Sequence, residues 1–330
     1  MIQDAHDLLL RLNESLEECE RLRQEVRRLE HELGIRHPSG KAPAPAEEII
    51  VPATVAEKVA LFRSLFRGRE DVYAVRIQFK TTGLWGYIPH GERDWEALRS
   101  ARPEDKKTVD RETRTLYPLT GKVIELHLSG KMTAGMYPML ADETCRLLAA
   151  DFDKKTWEED AVAYAATCRQ AGFNAYLERS RSGNGGHVWI FFESAIPAVL
   201  ARKLGCAMLT RTMEQRHQIG LDSYDRFFPN QDTMPKGGFG NLIALPLQWI
   251  PRQSGNSVFV DEQLLPFPDQ WRLLASVKRV PADQVEWIVN DAARRDQVLG
   301  VRTAILNEDG EEAPWEIGRA SCRERVYGRV

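Results

Sequence analysis

The stretch Leu147-Leu-Ala-Ala-Asp-Phe-Asp153 constrains this chain more than any other. Four apolar residues in succession leave a strand no polar face to show to water, so the strand belongs at the centre of a sheet covered on both sides. It then ends in two carboxylates one residue apart. Side chains alternate along a strand, so Asp151 and Asp153 project from the same face, where the apolar run stops. Paired hard oxygen ligands at that spacing suit Mg²⁺ or Mn²⁺. An Asp-x-Asp pair alone is common on surfaces; the apolar run before it makes this one informative.

Periodicity and punctuation predict the elements around that strand. A helix over residues 157–171 closes at Gly172, strands at 175–179 and 188–192 flank a glycine-rich turn, a helix spans 197–215, and a strand runs over 241–247. The order β-α-β-β-α-β is the split βαβ, ferredoxin-like plan of RNA-recognition modules and several polymerase cores. The expected class is therefore α+β, an RRM-like βαββαβ core with an additional N-terminal α/β subdomain. That subdomain reads as a helix at 55–66, an alternating strand at 72–79 and a charged loop at 99–114. Residues 220–240 read as a long loop of the kind that is usually functional or disordered, and 285–299 as a further helix.

Upstream, Ala5, Leu12, Cys19, Val26 and Leu33 with Leu8, Leu22 and Leu29 form a heptad pattern of about four repeats, a coiled-coil helix over 1–35 able to self-associate. A Pro- and Ala-rich linker follows at 36–54, and the main domain is expected over 55–291, with 292–315 as the start of a second linker. Residues 316–330 begin Glu316-Ile-Gly-Arg-Ala-Ser-Cys-Arg-Glu-Arg-Val326. This resembles an adapter read through as coding sequence, so the segment is expected to be non-native and a downstream domain to be missing.

With 45 basic against 48 acidic residues, the whole-chain field offers no attraction for a polyanion, which must be held by a local patch. Five cysteines without a CxxC pair argue against a disulfide framework or a Cys-rich zinc site. No apolar run approaches the roughly 18 residues of a membrane span, so the expectation is a cytoplasmic protein with no membrane partner.

Two more segments can carry chemistry. Arg179-Ser-Arg-Ser-Gly-Asn-Gly-Gly-His187 fills the turn between two strands. Gly183, Gly185 and Gly186 let backbone N–H groups turn toward one anion, while Ser182 and His187 add donors beside Asn184, so the turn can cradle a triphosphate. Its plain alternative is a flexible hairpin tip. The second segment, Leu221-Asp-Ser-Tyr-Asp-Arg-Phe-Phe-Pro-Asn-Gln-Asp232, offers Asp225 to complete a carboxylate triad. Asp222 and Asp232 remain alternatives as the third ligand.

Asp151-Phe-Asp153, Ser182-Gly-Asn-Gly-Gly-His187 and Asp225 together resemble the three motifs of the archaeo-eukaryotic primase superfamily. More narrowly, Tyr224-Asp-Arg-Phe-Phe-Pro-Asn-Gln-Asp232 with Gly237-Gly-Phe-Gly-Asn-Leu-Ile-Ala-Leu-Pro246 resembles the primase domain of TOTE conflict systems, over about residues 55–291. In that family the domain usually precedes a superfamily II helicase. Many relatives carry a Cys cluster in the region matching 83–114, where this sequence has no cysteine.

The resemblance implies template-directed nucleotidyl transfer, with Asp151, Asp153 and Asp225 holding two Mg²⁺ or Mn²⁺ ions. It makes Ser182, Gly183, Asn184, Gly185, Gly186 and His187 the nucleotide site, with Arg179 or Lys236 as counter-charges, and nucleoside triphosphates and a single-stranded nucleic acid template the partners. Lys154, Lys155, Arg202, Lys203, Arg211 and Arg226 are the candidate template contacts. A metal-dependent nucleotide-sugar glycosyltransferase or a non-catalytic nucleic-acid-binding module are the alternatives; the first needs neither the hairpin nor a third acid, and the second would be marked by loss of an acid.

Overall fold

The structure is a computed structural model that describes residues 18, 21, 25, 28, 49–80, 82–215, 223–234 and 237–295, with only the backbone of Lys107. Two compact units divide the chain, Met1–Glu48 and Ile49–Val330. In the first, the four described residues, Glu18, Arg21, Glu25 and Arg28, are helical. The rest of the expected coiled coil, most of the linker, Asp222, Lys236 and the tail at 316–330 lie outside the described residues.

The second unit begins with α1 (Val55–Leu65), β1 (Ala74–Gln78), β2 (Trp85–Pro89), β3 (Gly91–Glu92), α2 (Trp95–Ser100), α3 (Lys106–Thr113), β4 (Thr115–Leu116), α4 (Gly121–Leu128) and β5 (Ala134–Met136). It continues through β6 (Thr144–Asp153), α5 (Trp157–Gln170), β7 (Tyr176–Arg179), β8 (Gly185–Pro197), α6 (Ala198–Gln215) and β9 (Tyr224–Phe228). Last come β10 (Ile243–Ala244), α7 (Trp249–Arg252), β11 (Val258–Phe259), α8 (Gln270–Ala275) and α9 (Ala282–Arg294). Thr54 starts α1 with a capping box: its hydroxyl accepts from Glu57 N–H while the Glu57 carboxylate accepts from Thr54 N–H.

The larger sheet has the order β11-β7-β8-β6-β9, with every pairing antiparallel. As the apolar run requires, β6 is internal, and Leu147, Leu148, Ala149 and Ala150 are buried. Its alternation separates two faces. Leu148 and Phe152 face the helices: Phe152 lies 5.6 Å from the Tyr164 ring of α5, and Leu148 abuts Gly205 of α6. Ala149, Asp151 and Asp153 face the other way, beside Trp189 and His187 of β8. Phe66, just past α1, meets Trp189 and Phe191 edge-on at 5.1 and 5.5 Å, so the N-terminal half covers the acid-bearing face at its inner end. That half contributes β5, β1 and β2 of the second sheet, ordered β10-β5-β1-β2.

Strand-helix-strand-strand-helix-strand is present, but with a different closing strand from the one expected. The stretch read as a long loop contains β9, which pairs with β6, whereas the strand expected at 241–247 shrinks to Ile243–Ala244 and joins the other sheet beside β5. Asp225 and Arg226 break the apolar alternation of β9, which hid it. The charged loop expected at 99–114 holds α3, a helix whose one apolar residue, Val109, gives it no apolar stripe to betray it. The helix expected at 285–299 starts at Ala282 and buries Val285, Ile288, Val289 and Ala292. Among the described residues, no helix is long and apolar enough to cross a membrane.

Candidate active site

Asp151 and Asp153 reach the site from the end of β6, and Asp225 joins them from β9; one carboxylate oxygen of each lies within 4.8 Å of the others. A regular pairing would not achieve this. Asp151 is opposite Arg226 and Phe152 is opposite Tyr224, leaving Asp225 as the extra residue of a β-bulge. Without the bulge Asp225 would pair with Phe152 and share its helix-packed face; the inserted residue instead turns its carboxylate toward Asp151 and Asp153.

The opposite flank is built from β8, where Gly185 pairs with Asp153, Gly186 with Phe152 and His187 with Asp151. A Cβ on Gly185 would lie 2.6 Å from an Asp153 oxygen and 2.7 Å from the Phe152 carbonyl. Glycine here admits the acid, and the turn before it closes with Gly183 at φ +79°.

Asp151 is held up to about 6, chiefly by burial and then by the charges of Asp153 and Asp225, against the pull of His187 and Arg226. Burial and Asp225 raise Asp153 as well. Arg226 Nε donates to Asp225 Oδ2 at 2.7 Å. Three crowded carboxylates with only part of their charge offset form a hard-oxygen donor set that fits a divalent cation of the Mg²⁺ or Mn²⁺ type.

His187 belongs to a relay that the sequence reading missed. Its Nε2 faces Asp151 Oδ1 at 3.6 Å, while Nδ1 is 3.0 Å from Glu178 Oε2 on β7. Glu178 is 2% exposed and also accepts from Trp189 Nε1 at 2.9 Å and from the Ser257 hydroxyl at 3.5 Å. Burial alone would lower the His187 pKa, but the hydrogen bond and charge of Glu178, helped by Asp151 and Asp153, lift it to about 9. Both Nδ1–H and Nε2–H are then present, the first donated to Glu178 and the second directed into the acid cluster. The signal for Glu178 was an acid inside the otherwise apolar strand Ala175-Tyr-Leu-Glu178, at the position that pairs with His187.

Other expected residues are placed differently. Asp232 does not join the cluster; it pairs with Arg202 of α6. Arg179 donates to the carbonyls of Gly255 and Leu264, so its guanidinium braces the 255–264 segment instead of facing the acids. The Ser182 hydroxyl accepts from Asn184 N–H at 3.2 Å and lies 3.2 Å from Ser180 Oγ, which shapes the turn. Of the cations expected to meet a template, Arg202 is buried, Arg211 pairs with Asp291, and Arg226 with Asp225; Lys154, Lys155 and Lys203 are exposed.

Residues 57–288 match the family described as TOTE conflict system, Archaeo-Eukaryotic Primase domain. Among solved structures the chain is similar to the polymerase domain of ligase D from Mycobacterium tuberculosis in complex with DNA, at 12% identity over 73% of this chain and 88% of that one, with a TM-score of 0.33. A comparison with curated proteins finds no match.

Proposed function

Because the chain belongs to the archaeo-eukaryotic primase family of TOTE conflict systems, matched over residues 57–288, we propose that it is a template-directed nucleotidyltransferase, a primase-polymerase acting in a conflict system. The observation that carries this reading is the convergence of Asp151, Asp153 and Asp225 on one face, the last turned in by a bulge. Asp151, Asp153 and Asp225 would hold two Mg²⁺ or Mn²⁺ ions, which when bound favour ionisation of an attacking 3′-hydroxyl and offset charge on the leaving pyrophosphate.

The chain's own groups do the rest. His187, kept charged by Glu178, presents Nε2–H beside the acids as a donor for a phosphate oxygen, not as a general base. Gly183, Gly185 and Gly186 bring backbone close to that donor without side chains in the way, and Ser182 sets the turn by accepting from Asn184 N–H. Lys236 remains the proposed counter-charge, while Arg179 holds the segment behind the hairpin. The domain limits 55–291, self-association through 1–35, and a single-stranded template with nucleoside triphosphates as partners belong to the same proposal. A non-catalytic adaptor would be marked by loss of an acid, and all three are in place.

Purified protein, a primed or unprimed single-stranded template, Mn²⁺ and labelled nucleotides should give extended products. Asp151→Ala combined with Asp153→Ala should lower incorporation by about a thousandfold or more, since metal stabilisation of the developing charge is worth several kcal/mol. A double variant that incorporates at the wild-type rate would remove the assignment of these acids.

A further inference from the structure

A second cleft, with a largely apolar wall studded by cations, is lined in part by Arg181 of the β7–β8 hairpin. Its volume is about 260 Å³, and Arg76, Trp85, Arg181, Gln248, Trp249 and Ile250 are among its lining residues; none of the lining residues is acidic. Two indoles are open to water there, Trp85 at 55% and Trp249 at 46%. Each is backed by a guanidinium, Arg76 at 4.2 Å from the Trp85 ring and Arg252 at 4.6 Å from the Trp249 ring. Aromatics exposed singly need no explanation, but two exposed indoles lining one cleft are the kind of patch that marks an interaction site.

The cations are positioned. Arg181 Nη1 donates to Gln248 Oε1 at 2.6 Å, and Gln248 is itself buried and bonded to the Leu245 carbonyl. Gly130, at φ +80°, lets Trp249 approach so closely that a Cβ at Gly130 would sit 2.7 Å from the Trp249 Cβ. Burial, and after it the charge of Arg181, hold the Arg76 guanidinium below its ordinary pKa. Arg181 has a neutral amide as its partner and Arg76 an aromatic face. An anion between them would relieve both.

Phosphates with bases attached satisfy this chemistry. Indole faces stack on any base, and arginines beside them meet the backbone, the pattern of sequence-tolerant binding to single strands. The cleft is smaller than the roughly 300–1,000 Å³ of sites that bury a whole small ligand, so it suits a chain that passes through and continues. Arg181 and Gly185 belong to one hairpin, and Gly185 abuts Asp153. Gln248 N–H donates to the Ser257 hydroxyl at 3.2 Å, and that hydroxyl donates to Glu178 at 3.5 Å. The cleft is thereby joined to the His187 relay.

The geometry points to this cleft as the binding track for single-stranded nucleic acid, with Trp85 and Trp249 as stacking platforms and Arg76 and Arg181 as phosphate contacts. Such a strand is the template of the primase reading, on which this assignment rests for its purpose but not for its binding chemistry.

The test is fluorescence anisotropy of a labelled oligothymidylate about 20 nucleotides long, titrated with the full chain without added nucleotide. Trp85→Ala and Trp249→Ala should each weaken binding about tenfold, and Trp85→Phe should retain most of it. Arg76→Ala and Arg181→Ala should each lower the slope of log affinity against log salt by about 0.7. Melting curves matching the wild type exclude misfolding, and the affinity of the Trp85, Trp249 and Arg76 variants for Mn²⁺ with a nucleoside triphosphate should be unchanged. Failure of the wild type to bind the oligonucleotide, or a Trp85→Ala/Trp249→Ala double variant within twofold of it, overturns the assignment. Variants that lose the nucleoside triphosphate but keep the oligonucleotide also overturn it, and give the cleft to the nucleotide. Oligonucleotide binding that depends on both indoles in a protein that incorporates nothing would instead sink the polymerase reading and leave this one standing.

Discussion

His127 is buried and His187 largely so, and the regions around them hold them in opposite states. On α4, His127 lies between backbone groups: Nδ1 accepts from Ala134 N–H at 3.1 Å, and Nε2–H donates to the Pro246 carbonyl at 2.8 Å. Burial prevails over the carbonyl and pushes its pKa down to about 4. His187 lies between carboxylates and is raised to about 9 although it too is desolvated. Dipoles satisfy an imidazole's two nitrogens but cannot repay the cost of burying its charge, whereas ionised acids can. The first region uses histidine as a neutral cross-link between α4, β5 and the segment after β10. The second uses it as a fixed cation beside three acids.

The largest expected effect is on stability. His127 takes up a proton near 6.5 when the chain is unfolded and only near 4 when folded, so the unfolded state binds more protons between those values. Its contribution is complete above pH 6.5 and is lost as pH falls through 4, by about 3 kcal/mol in all. The acid site runs the other way. Asp151 and His187 have raised values, so the stability they contribute is present at low pH and is lost as pH rises through about 6 for Asp151 and about 9 for His187. Urea denaturation of wild type and His127→Leu should show a stability gap at pH 7 that closes by about 3 kcal/mol on going to pH 4. A gap independent of pH would erase the distinction between the two histidines.

A smaller effect probes the partner that charges His187. Glu178→Gln removes the ionised acceptor while keeping size, so nucleotide affinity measured at pH 8 should fall about ten- to a hundredfold, the worth of one hydrogen bond to a charged group. The His187 pKa, followed by NMR on metal-free protein, should drop from about 9 toward or below its ordinary range. Glu178→Asp should recover part of both. Unchanged titration of His187 in Glu178→Gln would mean that Asp151 and Asp153 suffice to hold the charge.

The smallest effect is the relief of crowding among the acids. In metal-free protein at pH 7.5, Asp151→Asn should raise Tm by about 2–4 °C, as for a gain of about 1 kcal/mol in a domain of this size. Wild type should gain further Tm on adding Mn²⁺, and the variant should gain less. A lower Tm for Asp151→Asn would show that its carboxylate is a net structural asset through His187 and Arg226.

The sequence by itself determined what depends on neighbours along the chain. Leu147 to Ala150 made β6 an interior strand, the spacing of Asp151 and Asp153 put them on one face, and Gly183 to Gly186 marked the hairpin. Apolar runs, period two and glycine are local signals, readable before anything is paired. Tertiary structure decided which acid came third. A linear reading put Asp225 forward but left Asp222 and Asp232 as alternatives; the bulge against β6 turned Asp225 in, Arg202 took Asp232, and Asp222 lies outside the described residues. The same pairing turned an expected loop into β9, and Glu178 gained its role only when β7 set it opposite His187. Register and ion pairing between distant segments depend on which strands meet, and a bulge erases the one periodicity that could have announced them.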